Sequence, residues 1–188
     1  MKDQLIIKDV GIIKKCRAYL RRLFPKRGYD GWCDAFDEQY DDISEWFAVG
    51  DIEKGGAYAF CRVTYKTADT QIPTELGDID SHLVFPAGSC EINNLIYSER
   101  NTELAAELIS KVLEYLKSKG LNLAFCVVDK DDRHAHKLNT EVFLFKETGC
   151  TLIYPGVVHK EKKTPVIWQV LRRQNIDRDC SIKPEVFL

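Results

Sequence analysis

Residues 89–97 read SCEINNLIY and residues 121–128 read LNLAFCVV. Between them Leu104, Leu108, Val112 and Tyr115/Leu116 recur at helical spacing. Asn101 or Thr102 stands where a helix start is capped, and Gly120 where a helix is closed. The stretch therefore predicts strand, helix, strand. Two strands joined by a helix form a parallel pair, and such a crossover is right-handed. The nearly continuous apolar run of the second strand predicts burial on both faces.

Working outward, Gln4–Lys8 (QLIIK) is a short strand. Ile13, Cys16, Leu20 and Leu23 then mark one apolar helical face, ended by Pro25 and Gly28. Residues 29–43 form an acidic, aromatic segment with Tyr29, Trp32, Phe36 and Tyr40. Glu45–Val49 (EWFAV) and Ala57–Tyr65 (AYAFCRVTY), joined by a polar turn, predict a hairpin. Downstream, Asp131 or Asp132 starts a further helix with Ala135, Leu138, Val142 and Phe145 on one face. Thr151–Tyr154 and Val166–Leu171 are two more strands. The order implies an α/β (α+β) chain with a mixed central sheet of about seven strands. Residues 1–173 read as one domain and 174–188 as a polar C-terminal tail.

With 188 residues, 45% hydrophobic and 30% charged, the chain is neither disordered nor a coiled coil. Its net charge of −2 gives no support to a general nucleic-acid binder. The seven cysteines are odd in number, widely spaced and free of C-x-x-C. Several lie in apolar runs, where cysteine acts as a small hydrophobe. No apolar run approaches the roughly 20 residues of a membrane helix, and residues 1–4 do not open a signal peptide. The expectation is a cytoplasmic protein without a membrane span. Charge is nevertheless segregated. Lys14, Lys15, Arg17, Arg21, Arg22, Lys26 and Arg27 precede nine acids between Asp30 and Glu53.

The element order resembles the GNAT superfamily of N-acyltransferases over nearly the whole chain, which implies a sheet with helices on both faces. Leu144-Phe145-Lys146-Glu147-Thr148-Gly149-Cys150 is similar to the family's L-Y-x-x-x-G-F, with Phe145 in the place of its tyrosine. Arg100-Asn101-Thr102-Glu103-Leu104-Ala105 stands where the family has R/Q-x-x-G-x-G/A, which cradles a pyrophosphate at a helix N-terminus. Arg100 and Ala105 fit, and Glu103 replaces the central glycine. The front half resembles acyl-homoserine-lactone (autoinducer) synthases and N-acyl amino acid synthases. Asp41 and Glu38 match two acids of their E-x-D-x-[FY]-D stretch, Arg62 their third-strand arginine and Glu91 their fourth-strand glutamate.

The resemblance implies an acyltransferase that moves an acyl group from acyl-CoA or acyl carrier protein to a small-molecule amine. Glu91 is the expected base, since an attacking amine must lose a proton. The other reading is an ion pair with Arg62. Asp41 and Arg62 would orient the acceptor, or form a structural salt bridge. Asn93, Leu95, Tyr97, Arg100, Asn101, Thr102 and Ala105 would hold the donor, with Asn93 or Asn94 alternatively a bulge residue. Tyr97 and Tyr154 are the candidate substitutes for the absent tyrosine acid. His134 and His136, at i and i+2, point apart on a helix, so no metal is expected. Lys14, Arg17, Arg21 and Arg22 would dock an anionic carrier protein or the phosphates of CoA, and Asp37, Glu38 and Asp41 would flank the amine. The rival reading is a catalytically degenerate GNAT fold that binds a ligand or partner.

Overall fold

Asp9 sets the first helix. Its side chain accepts the Ile12 N–H at 3.0 Å, capping α1 (Val10–Lys26). The computed structural model describes residues 5–31, 38–52, 56–80, 83–98, 101–174 and 176. Strands β1 (Ile6–Ile7) and β2 (Tyr29–Asp30) flank α1, and β3 (Ser44–Gly50) and β4 (Tyr58–Tyr65) form the expected hairpin. β5 (Asp78–Ile79), β6 (Cys90–Tyr97), α2 (Thr102–Ser118) and β7 (Leu123–Asp129) follow. Asn101 caps α2 by accepting the Leu104 N–H at 3.2 Å. Next come a short helix α3 (Arg133–Lys137), a π-turn over Leu138–Val142, and the long strands β8 (Lys146–His159) and β9 (Pro165–Gln174).

The nine strands among the described residues make one sheet in the order β1-β3-β4-β6-β7-β9-β8-β2, with β5 on β8. β6 and β7 are the parallel pair that the crossover predicts; every other described pairing is antiparallel. The two strands beyond the expected seven, β2 and β5, are two residues each. Such pieces are too short to show an alternation.

Period-two alternation sorts the core into layers. Phe47, Cys61 and Ala124 turn toward α2, where Leu108, Ile109, Val112 and Leu116 are buried. Trp46, Phe60 and Ile96 turn the other way, onto Cys16 and Leu20 of α1. On that same face, Phe125, Leu152, Val170 and Trp168 pack beneath Ile72 and Phe85 of the irregular segment between β4 and β6. β7 is thus buried on both faces, and helices cover both sides of the sheet. Among the described residues no helix is long and apolar enough to cross a membrane.

Three details depart from the sequence reading. The helix expected to run to Phe145 unwinds after Lys137. There Asn139 donates to the Ala135 carbonyl and Thr140 to the His136 carbonyl, a local competition that loosens helices. Leu144 then turns left-handed at φ 57° and β8 begins at Lys146. Second, β9 runs on to Gln174, and Ile176 is fully buried in the α2-side core. The rest of the expected tail, 177–188, lies outside the described residues. Third, Arg17 is not part of a solvated basic face. It is buried and ion-paired with Asp41.

Gly31 fixes the β2–β8 edge. Its φ is +88°, and a Cβ there would lie 1.9 Å from the Gly156 carbonyl oxygen. Gly31→Ala is expected to cost at least the roughly 1–2 kcal/mol of a left-handed non-glycine residue and to lower the Tm by several degrees. Calorimetry checks this, and an unchanged Tm overturns it.

Candidate active site

β6 and β7 are in register only at Cys90–Ala124 and Glu91–Phe125. Beyond that point they splay, because β6 carries a bulge. Phe60 faces Ile96 and Arg62 faces Asn93, so two β6 residues, Asn94 and Leu95, stand against Cys61 alone. Asn94 takes a left-handed φ of 55°, which asparagine tolerates better than most side chains. A cavity of about 180 Å³ opens in the splay. It is lined from both faces of the sheet, by Ile109 and Phe143 on one side and Tyr154 and Trp168 on the other.

Glu91 lies in its wall and is 0% exposed. One carboxylate oxygen accepts the Thr74 N–H at 2.9 Å and the Thr74 hydroxyl at 2.8 Å. The other accepts the Asn93 amide at 3.5 Å. Arg62, 1% exposed, donates its Nε–H to Asn93 Oδ1 at 2.9 Å, and its guanidinium lies 5.5 Å from the Tyr40 ring and 5.9 Å from the Trp46 ring. Burial pushes the Glu91 pKa above the ordinary carboxylate value; the Thr74 hydrogen bonds, Arg62 and Asn93 pull the other way without cancelling it. Tyr154, in the same wall, is pushed well up by burial and then by Glu91, so its hydroxyl stays protonated.

Of the residues expected to act together, the fold assembles Glu91, Arg62 and Asn93 into one hydrogen-bonded chain and lines the cavity with Leu95 and Tyr97. Asp41 stands apart. It pairs with Arg17 and ties α1 to the turn before β3, with its side chain 43% exposed. The α2 start keeps the Thr102 and Glu103 amides outside the helix ladder. Glu103 itself is exposed, whereas Ala105 is buried and its N–H is taken by the Asn101 carbonyl. Arg100, Trp32, Phe36 and Asp37 lie outside the described residues. Tyr97 meets His134 Nε2 at 3.1 Å across the splay, and burial raises the Tyr97 pKa. Phe145 is buried and also lines the cavity. His136 pairs with Glu147 at 2.9 Å. Lys14, Arg21 and Arg22 remain exposed on α1.

Sequence reasoning missed Thr74, Tyr29, Asp129 and Trp168. Thr74 comes from an irregular segment with no periodicity to read. Asp129 did carry a signal, an acid closing an apolar strand at the carboxyl end of a parallel pair, where α/β sheets place ligands. Asp129, Asp131 and His159 bring ligand-capable atoms within 4.8 Å of one another.

No protein-family model matches the chain, and no curated protein matches it. Solved structures do. An N-acyl amino acid synthase from uncultured soil microbes superposes with a TM-score of 0.64 at 13% identity, over 92% of this chain and 90% of that one. A spermidine N-acetyltransferase chimera from Vibrio cholerae and hSSAT gives 0.51 at 17% identity, over 77% of each chain. At these identities the likeness shows the fold, the one that the element order predicts.

Proposed function

On a chain with the fold of the GNAT N-acyltransferases, we propose that this protein moves an acyl group from a thioester donor to an amine by direct attack. The observation that carries the reading is a fully buried glutamate with a raised pKa in the wall of a cavity between two splayed strands. A base with a pKa shifted toward neutrality suits removal of a proton from an amine, directly or through water. Arg62 and Asn93 hold Glu91 in place through one hydrogen-bonded chain and share its cavity wall. Leu95 and Tyr97 line the donor's path, and the amides of Thr102 and Glu103 face its phosphate, joined by Arg100 and capped by Asn101. The donor is acyl-CoA or acylated carrier protein, and the exposed Lys14, Arg21 and Arg22 offer an anionic carrier a docking face. The amine acceptor is a small molecule. No metal takes part in this mechanism.

Phe145 favours a second reading, a degenerate fold that binds without reacting, because a buried phenylalanine donates no proton. One experiment separates the two. Thiol release is followed with acyl-CoA or acyl carrier protein and a panel of amines, alongside thermal shifts with CoA. Amine-dependent thiol release supports transfer. Stabilisation of about 2.7 kcal/mol at a hundredfold excess over Kd, without release, supports the binding module.

A further inference from the structure

Glu91 and Asp129 look into one cavity from one face of the sheet. Glu91 is in register with Phe125, and Phe125, Val127 and Asp129 alternate along β7, so Asp129 projects on the Glu91 side. Asp129 is 6% exposed and lines the cavity. Its carboxylate is fixed, accepting the Tyr29 hydroxyl at 2.6 Å and the Asp131 N–H at 2.9 Å. Yet among the described residues no cationic side chain lies within ion-pair distance of it. Arg27, on the cavity's rim, is exposed and forms no ion pair among them. A buried carboxylate without a countercharge is costly unless something supplies one.

The surroundings indicate what supplies it. Tyr29 and Trp168 stand 5.6 Å apart, Tyr154 and Trp168 5.9 Å, and Phe24 and Tyr29 5.9 Å; all four rings line the cavity. Aromatic faces beside a carboxylate favour an organic cation. We propose that the acceptor carries a second positive charge, and that Asp129, braced by Tyr29 among the rings of Phe24, Tyr154 and Trp168, holds it. The distance selects the class. Four residues at about 3.3 Å each place Asp129 about 13 Å along the strand from Glu91. Allowing about 3 Å for a hydrogen bond at each end leaves about 7 Å, the span of an extended four- or five-carbon diamine. This inference rests on the N-acyl transfer reading for the reacting end of the acceptor, but the cation site can be tested without it.

The test titrates 1,4-diaminobutane and butylamine into the wild-type protein, Asp129→Asn and Tyr29→Phe by calorimetry, and then compares the two amines as acceptors. The wild type is expected to prefer the diamine. Asp129→Asn should cut that preference roughly tenfold or more and Tyr29→Phe by a few-fold; the latter keeps the test sound if the first variant folds poorly. Equal affinity for both amines in the wild type overturns the proposal, as does a preference that survives Asp129→Asn. So does Mn²⁺ or Zn²⁺ binding to Asp129, Asp131 and His159 that excludes the diamine, or a preference for amino acids that is lost with Arg27→Ala. Asp129-dependent diamine binding without acyl transfer leaves the site standing and removes the transfer reading. Acylation of butylamine with no diamine preference does the reverse.

Discussion

Glu91→Gln is expected to slow acyl transfer by about 10²- to 10⁴-fold, with little change in donor KM. Glutamine keeps the shape and still accepts from Thr74, but it cannot take a proton. The pH profile makes the test specific. The working form of a base is the carboxylate, and burial raises the Glu91 pKa, so wild-type kcat/KM should rise with pH through that raised value. In the variant this limb disappears. Stability changes with a matching sign. A carboxyl whose folded pKa is raised contributes stability below its unfolded pKa, and loses it as pH climbs through the folded value. Glutamine has nothing to lose there, so the Tm of the variant relative to wild type should improve as pH rises through that folded value. A retained limb, or full activity in the variant, would sink the base assignment.

How much of this was legible depended on whether a residue's role is local. The crossover around α2 could be read because Leu104, Leu108 and Val112 repeat at helical spacing and Asn101 and Gly120 mark its ends. Glu91 could be singled out because a carboxylate inside an apolar strand violates the pattern around it. Its partners could not be found that way. Thr74 reaches Glu91 from 17 residues upstream, and Tyr29 reaches Asp129 across 100 residues, contacts that only the sheet order creates. For Asp41 the sequence left two readings open, an acceptor-orienting acid and a structural salt bridge. Its motif position suggested the site, but a helix face decided its partner. Arg17 lies one residue from Cys16 on the inward side of α1, and the two bury together. The charge segregation allowed either two docking surfaces or acids that satisfy the basic helix locally, and one cation and one anion of the two arms are joined.

Arg62→Met should be the most destabilising change at the site, by about 3–5 kcal/mol, the usual cost of removing one partner from a buried charged network. Methionine fills much of the volume between Tyr40 and Trp46, so the cost is chiefly electrostatic. Asn93 Oδ1 loses its donor, and Glu91 loses a cation that lowers its pKa. The acidic limb of the activity profile should therefore move to higher pH, a shift that simple loss of packing does not produce. The same substitution made on Glu91→Gln has no buried anion to leave behind. Its cost there should fall by the coupling energy of the pair, roughly 0.5–3 kcal/mol for groups in one network, measured by urea unfolding of the four proteins of the cycle. If Arg62→Met costs the same in both backgrounds and leaves the limb in place, Arg62 only anchors Asn93. Glu91 would then owe its titration to burial and Thr74 alone.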